Sequence, residues 1–98
     1  MIFYYKTYKY EKDLLVAICD EEVLGKSFSF GDVTFIVKKD FYGGESCDKK
    51  DVLKIIENAT IINAVGKNIV KLLITNGFID EDKVLEIGEV LHAQMVKI

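Results

Sequence analysis

LLVAIC, residues 14–19, is apolar at every position. A strand with one wet face alternates apolar and polar side chains, whereas a strand buried on both faces does not. This run therefore predicts a central strand covered on both sides, and the flanking segments can be read outward from it. Upstream, Ile2 to Tyr10 is β-branched and aromatic with interleaved lysines, the pattern of a half-exposed strand, and Glu11-Lys12-Asp13 makes the turn. Downstream, Asp20-Glu21-Glu22 reads as a polar turn. Ser27 to Phe30 then alternates, Gly31-Asp32 turns, and Val33 to Val37 returns, which makes a hairpin with one wet face.

The period changes in the second half. Asp48 suits a helix N-cap and Asp51 the positive first turn. Val52, Ile55, Ile56 and Ala59 then recur at helical spacing, with Lys50, Lys54 and Glu57 on the other side. Thr60-Ile61-Ile62-Asn63 reads either as a short buried strand or as a continuation of that helix. Ile69, Val70, Leu73 and Ile74 form a second helical face that stops at Asn76-Gly77. Val84 to Ile87 and Leu91 to Ile98 read as strands separated by Gly88. The expected class is α/β, arranged as a two-layer α+β domain over residues 1–98. Its mostly antiparallel sheet has five to six strands and carries two main helices in the second half.

Composition removes several functions. Half the residues are hydrophobic and 30% charged, as in a globular chain. No apolar run approaches the ~18 residues that span a membrane, and MIFYYKTYKYEKD has no signal-peptide layout. A cytoplasmic protein is therefore expected. Cys19 and Cys47 stand far apart without paired spacing, and with one histidine they do not make a structural zinc set. No cofactor is implied. The net charge is −3, with all 13 cations lysine and no arginine. Arginine is the usual reader of guanine edges, and a basic stripe is the usual nucleic-acid footprint. DNA is not an expected partner, whereas shape-specific contact with RNA or a protein remains open.

Four stretches carry candidate chemistry. On a strand, His92 and Gln94 share one face while Leu91, Ala93 and Met95 point to the core, giving a small polar surface or simply the wet side of an edge. In Asp40-Phe41-Tyr42-Gly43-Gly44-Glu45, the glycines Gly43 and Gly44 let backbone approach a ligand, and Tyr42 offers a stacking ring; a flexible crossover explains them equally well. In Asn63-Ala64-Val65-Gly66-Lys67-Asn68, Gly66 and Lys67 open a helix, whose N-terminus attracts anions. A phosphate-binding loop, however, needs glycine where Ile61 stands and Ser or Thr where Asn68 stands. Tyr4, Lys6, Tyr8 and Tyr10 share a strand face that could stack bases, or that merely blunts an edge. The acidic run Asp80-Glu81-Asp82 reads as a solvated turn.

Taken in order, CDEE (19–22), LGK (24–26), FYGGE (41–45), NAVG (63–66) and HAQ (92–94) resemble an archaeal family of small proteins, domain of unknown function 424 (DUF424). The resemblance spans nearly the whole chain. It implies an archaeal cytoplasmic protein with no established activity, associated with genes of translation and ribosome biogenesis. The family pattern places proline before the histidine; Leu91 stands there, so no fixed kink follows. Three functions come out of this reading. The first is a binding module for RNA or a protein of the translation apparatus, using Tyr42, Gly43, Gly44, Asn63, Gly66, Lys67, His92 and Gln94. The second is an enzyme with His92 as acid or base, and the third a subunit that forms a homodimer through a strand edge.

Overall fold

Residues 14–19 lie at the heart of a sheet. A computed structural model of the chain describes residues 1–97. Along it run β1 (Ile2–Tyr10), β2 (Asp13–Asp20), β3 (Ser27–Phe30), β4 (Val33–Ile36), one helical turn α1 (Lys39–Tyr42), β5 (Glu45–Asp48), α2 (Lys49–Ile56), β6 (Ile61–Val65), α3 (Lys67–Thr75), β7 (Leu85–Ile87) and β8 (Val90–Val96). Six of the strands form one sheet in the order β5-β1-β2-β6-β8-β7, and β3 and β4 pair separately. Within the larger sheet only β2 and β6 run parallel. The α+β class, the mostly antiparallel sheet and the two main helices all stand as expected.

Both parities of β2 are apolar because each face has a cover. Val16 and Ile18 pack with Val52 and Ile56 of α2 and Ile69, Val70 and Leu73 of α3. Ala17 and Cys19 point the other way, where Val23, Val37, Tyr42 and the partly buried Phe28 and Phe35 form a second core. The hairpin β3–β4 and α1 thus provide a thinner lid on the face without the long helices. Both thiols are buried and free, and burial pushes Cys19 up to about 12, so it is held as an unreactive thiol.

The local expectations divide cleanly. Asp48 caps α2 through its Oδ1, which accepts from Lys50 N at 3.0 Å and Asp51 N at 3.3 Å. Residues 61–65 are strand: α2 ends at Ile56, Thr60 N bonds Leu14 O at 2.9 Å, and that bond starts β6 alongside β2. Ala93 and Met95 face the helices as expected, while Ile98 lies outside the described residues. Two expectations are corrected. Asp20 is not part of a solvated turn but is 2% exposed. The stretch after Gly44 is not a bare linker to a helix, since Glu45–Asp48 pairs with β1 at the sheet margin. Its four residues, ESCD, carry no alternation that marks a strand.

Candidate functional site

The register across the sheet lines up residues from distant parts of the chain. One row reads Lys6, Ala17, Asn63, Gln94, and the next, on the same face, reads Tyr4, Cys19, Val65, His92. With strands ~4.8 Å apart, Lys6 to Gln94 spans roughly 14 Å. On the other side of the first row lie Tyr8, Leu15, Ile61 and Val96. The His92 row is covered by the hairpin and α1, while Lys6 and Gln94 are exposed and Tyr8, Leu15, Ile61 and Asn63 are half-buried. This face is therefore a floor with two amide side chains beside each other and an apolar strip next to them.

Tyr42, Asn63 and His92 meet at one atom. The Tyr42 hydroxyl donates to Asn63 Oδ1 at 2.6 Å, and His92 Nε2 lies 3.1 Å from the same oxygen. An amide oxygen only accepts, so His92 carries its proton on Nε2 and keeps a lone pair on Nδ1. Burial pushes the Tyr42 phenol well above its usual range, which keeps it a donor. The Phe35 ring stands edge-on to His92, with centroids 5.4 Å apart. No carboxylate is hydrogen-bonded to the imidazole among the described residues, and Val65 lies between Cys19 and His92 in the row. The ring is thus built to be held neutral and to donate a hydrogen bond.

Burial lowers the His92 pKa from its ordinary 6.5. Below that value the unfolded chain begins to take up a proton that the folded ring refuses, so the unfolded state binds more protons and stability falls with pH. The stabilising effect is complete above the unfolded value and is lost as pH falls below it. Urea midpoints measured from about pH 7.5 down to about 5.5 are expected to decline, with a shallower decline in His92→Gln. Parallel profiles for the two proteins would show that the ring is not buried as described.

The start of α3 is already occupied. Gly66, at the N-cap position, has no side chain to offer, and the carboxylate of Asp20 takes its place: Oδ2 accepts from Asn68 N at 2.9 Å and Oδ1 from Ile69 N at 2.8 Å. Burial raises the Asp20 pKa, an effect the two amide bonds oppose. The positive helix end that the sequence offers to phosphate at Gly66 and Lys67 is thus satisfied from within, and Lys67 is exposed beside it. Asp20→Ala strands one buried and one part-buried donor and is expected to lower stability by about 2 kcal/mol in urea denaturation. A change below ~0.5 would mean that water replaces the cap.

Of the sequence candidates, Tyr42, Asn63, His92 and Gln94 come together, whereas Gly66 and Lys67 sit at the Asp20 cap. Tyr42 corrects its expected role: its ring is 3% exposed and cannot stack on a ligand. Gly43 and Gly44 serve the chain itself, since a Cβ on Gly43 would come 2.7 Å from Lys39 O and one on Gly44 2.6 Å from Tyr5 O. The available ring is Tyr8, stacked on Phe41 at 5.3 Å and 21°, with its hydroxyl donating to Phe41 O at 2.8 Å. Asp20 and Phe35 were not readable as site residues. A helix that opens on glycine without a capping side chain was the one available hint that a carboxylate must come from elsewhere.

Fold and floor together define a class: a small α+β domain with one sheet face under helices and the other partly open around a half-buried tyrosine–amide–histidine contact. The family described as Protein of unknown function (DUF424) matches residues 8–98, and the chain belongs to it. No curated protein matches. Among solved structures, an uncharacterized conserved protein from Methanopyrus kandleri is similar, with 24% identity and a TM-score of 0.79 over 97% of this chain and 90% of that one. That similarity speaks for the fold.

Proposed function

We propose that this protein is a cytoplasmic binding module whose open sheet face holds single-stranded RNA of the translation apparatus. The observation that carries the reading is the adjacency of Asn63 and Gln94 as register partners, flanked by the half-buried apolar strip and by Tyr8. Single-stranded RNA is recognised by stacking bases on aromatic and apolar surface and by hydrogen bonds to their edges. Gln94 can both donate and accept, the Asn63 amide nitrogen can donate, and Tyr8 can stack. Lys6 at the end of the row can meet a phosphate. One positive side chain rather than a basic field fits a net charge of −3, with affinity set by shape and edge contacts.

An enzyme acting through His92 is the second reading, favoured only by the ordered Nδ1 lone pair. Among the described residues no carboxylate or nucleophile is hydrogen-bonded to the ring, as acid–base or covalent catalysis would use.

The test is a titration of labelled single-stranded RNA at moderate salt, read by anisotropy. Saturable binding is expected, with Tyr8→Ala and Gln94→Ala each weakening it about tenfold, as loss of one stacked base or one edge contact implies. Absence of saturation, or binding indifferent to both variants, removes the reading. No helix among the described residues is long and apolar enough to cross a membrane.

A further inference from the structure

The strand position beside β1 is only half filled. β5 pairs with Ile2 to Tyr5 and no further, because the chain arrives there from Gly44, which packs against Tyr5 O. Opposite Lys6 to Tyr10 the outer side of β1 has no neighbour among the described strands.

The direction of the unpaired groups follows from two bonds. Leu14 O accepts from Thr60 N, so Leu14 turns its backbone toward β6. Its neighbours on β2, at 13, 15, 17 and 19, therefore face β1 and pair with Tyr10, Tyr8, Lys6 and Tyr4. Within a strand, successive residues present their N–H and C=O groups to opposite sides. Phe3, Tyr5, Thr7 and Lys9 thus face outward. Phe3 and Tyr5 meet β5, whereas the amides and carbonyls of Thr7 and Lys9 meet solvent.

A cleft of about 510 Å³ lies along this edge, lined by Tyr5, Lys6, Thr7, Gly44, Glu45 and Ile55. Ile55 of α2 and the Tyr5 ring give it an apolar side on the helix face. Glu45 is engaged by the Tyr5 hydroxyl at 2.7 Å. The edge from Lys6 to Lys12 carries Lys6, Lys9 and Lys12 against one acid, Glu11. On a chain of net charge −3 this is a local positive strip. The Lys6 ammonium rests on Asp40 O at 3.0 Å and over the Tyr8 ring at 5.7 Å, at the rim of the vacant position.

We propose that an extended acidic segment of a partner protein adds to the sheet here as a strand, in line with β5 and hydrogen-bonded to Thr7 and Lys9. Strand addition takes its affinity from main-chain bonds and its selectivity from alternate side chains. In this geometry one set of side chains enters the cleft against Ile55 and Tyr5, and the other set passes Lys6. The segment that fits alternates apolar and acidic residues. A second copy offers a poorer strand: its β1 edge carries the same lysines, the open end of β8, Ala93–Lys97, has no acid, and the acid-bearing edges β5 and β7 are four and three residues long, shorter than the Lys6–Tyr10 vacancy. Charge complementarity together with the length of the vacancy therefore selects a different protein over self-pairing.

The probe is a capped heptapeptide alternating valine and glutamate, titrated calorimetrically into the full chain, with amide hydrogen exchange followed by NMR. Saturable binding is expected, with slowed exchange at Thr7 and Lys9 and with at least tenfold weaker binding of the same peptide carrying lysine for glutamate. Thr7→Pro removes an outward N–H that no ladder uses, so the fold should persist and binding should drop at least tenfold. The charge-reversed pair Lys6→Glu and Lys9→Glu carries the test independently of that proline, with the same loss expected. No saturation, unchanged exchange at Thr7, or indifference to charge reversal overturns the proposal. So does sedimentation showing a peptide-free dimer that protects the same two amides.

Discussion

Gly66→Ala is expected to lower stability on the order of 4 kcal/mol and the melting temperature by about 15–25 °C. Gly66 has φ 126° and ψ 146°, a region in which a side chain costs about 1–3 kcal/mol. A Cβ there would also overlap the Asp20 carboxylate, lying 2.6 Å from its Oδ2. Relieving the overlap pulls Asp20 off Asn68 N and Ile69 N, so the strain adds to the loss of two cap hydrogen bonds. Gly31→Ala separates the two causes. It too has positive φ, 60°, but no atom lies within 4 Å of its added Cβ, so only ~1 kcal/mol is expected. Equal melting shifts would mean that Asp20 does not sit against the Gly66 backbone.

Leu73→Ala should cost about 3 kcal/mol, read as a lower urea midpoint with an unchanged slope. Leu73 is 0% exposed in the core between α3 and the sheet, and its loss leaves a cavity that a rigid strand floor cannot fill. Glu57→Ala, at an exposed position just past α2, should change stability by less than ~0.5 kcal/mol. Similar effects for the two would mean that the helices turn a different face to the sheet.

Which of these sites could be read beforehand follows from how local the physics is. The helical faces of α2 and α3 rest on side-chain spacing within two turns, and Asp48 reaches only Lys50 and Asp51. The shared face of His92 and Gln94 rests on alternation between successive residues, and both do lie on the face opposite the long helices. The contacts that make the site are of another kind. Tyr42 reaches Asn63 across 21 positions, and Asn63 reaches His92 across 29. Asp20 reaches Asn68 across 48. Nothing in the neighbourhood of any of these residues records its partner.

Tyr42 illustrates the difference. Beside two glycines it has the look of a loop aromatic open to a ligand, yet α1 folds it onto the sheet, where Phe41 meets it edge-on at 4.9 Å. Its ring becomes core and its hydroxyl becomes the anchor of an amide. Conversely, Tyr8, one of several tyrosines on a strand that alternation could only call half-exposed, keeps its accessibility because α1 covers just part of that face.

Periodicity and capping, which act over a few residues, determined from sequence alone the strands other than β5 and β6, both long helices, a doubly covered β2 and the side of β8 that bears its polar groups. Tertiary structure decided that β2 and β6 lie parallel and that β8 pairs with β6, and with those pairings Asn63 came into the row of Gln94 and Asp20 onto the end of α3. The cause is the crossover: 40 residues, 21–60, separate β2 and β6, and their register depends on how the hairpin and both helices pack against opposite faces, a balance of burial that no short window contains.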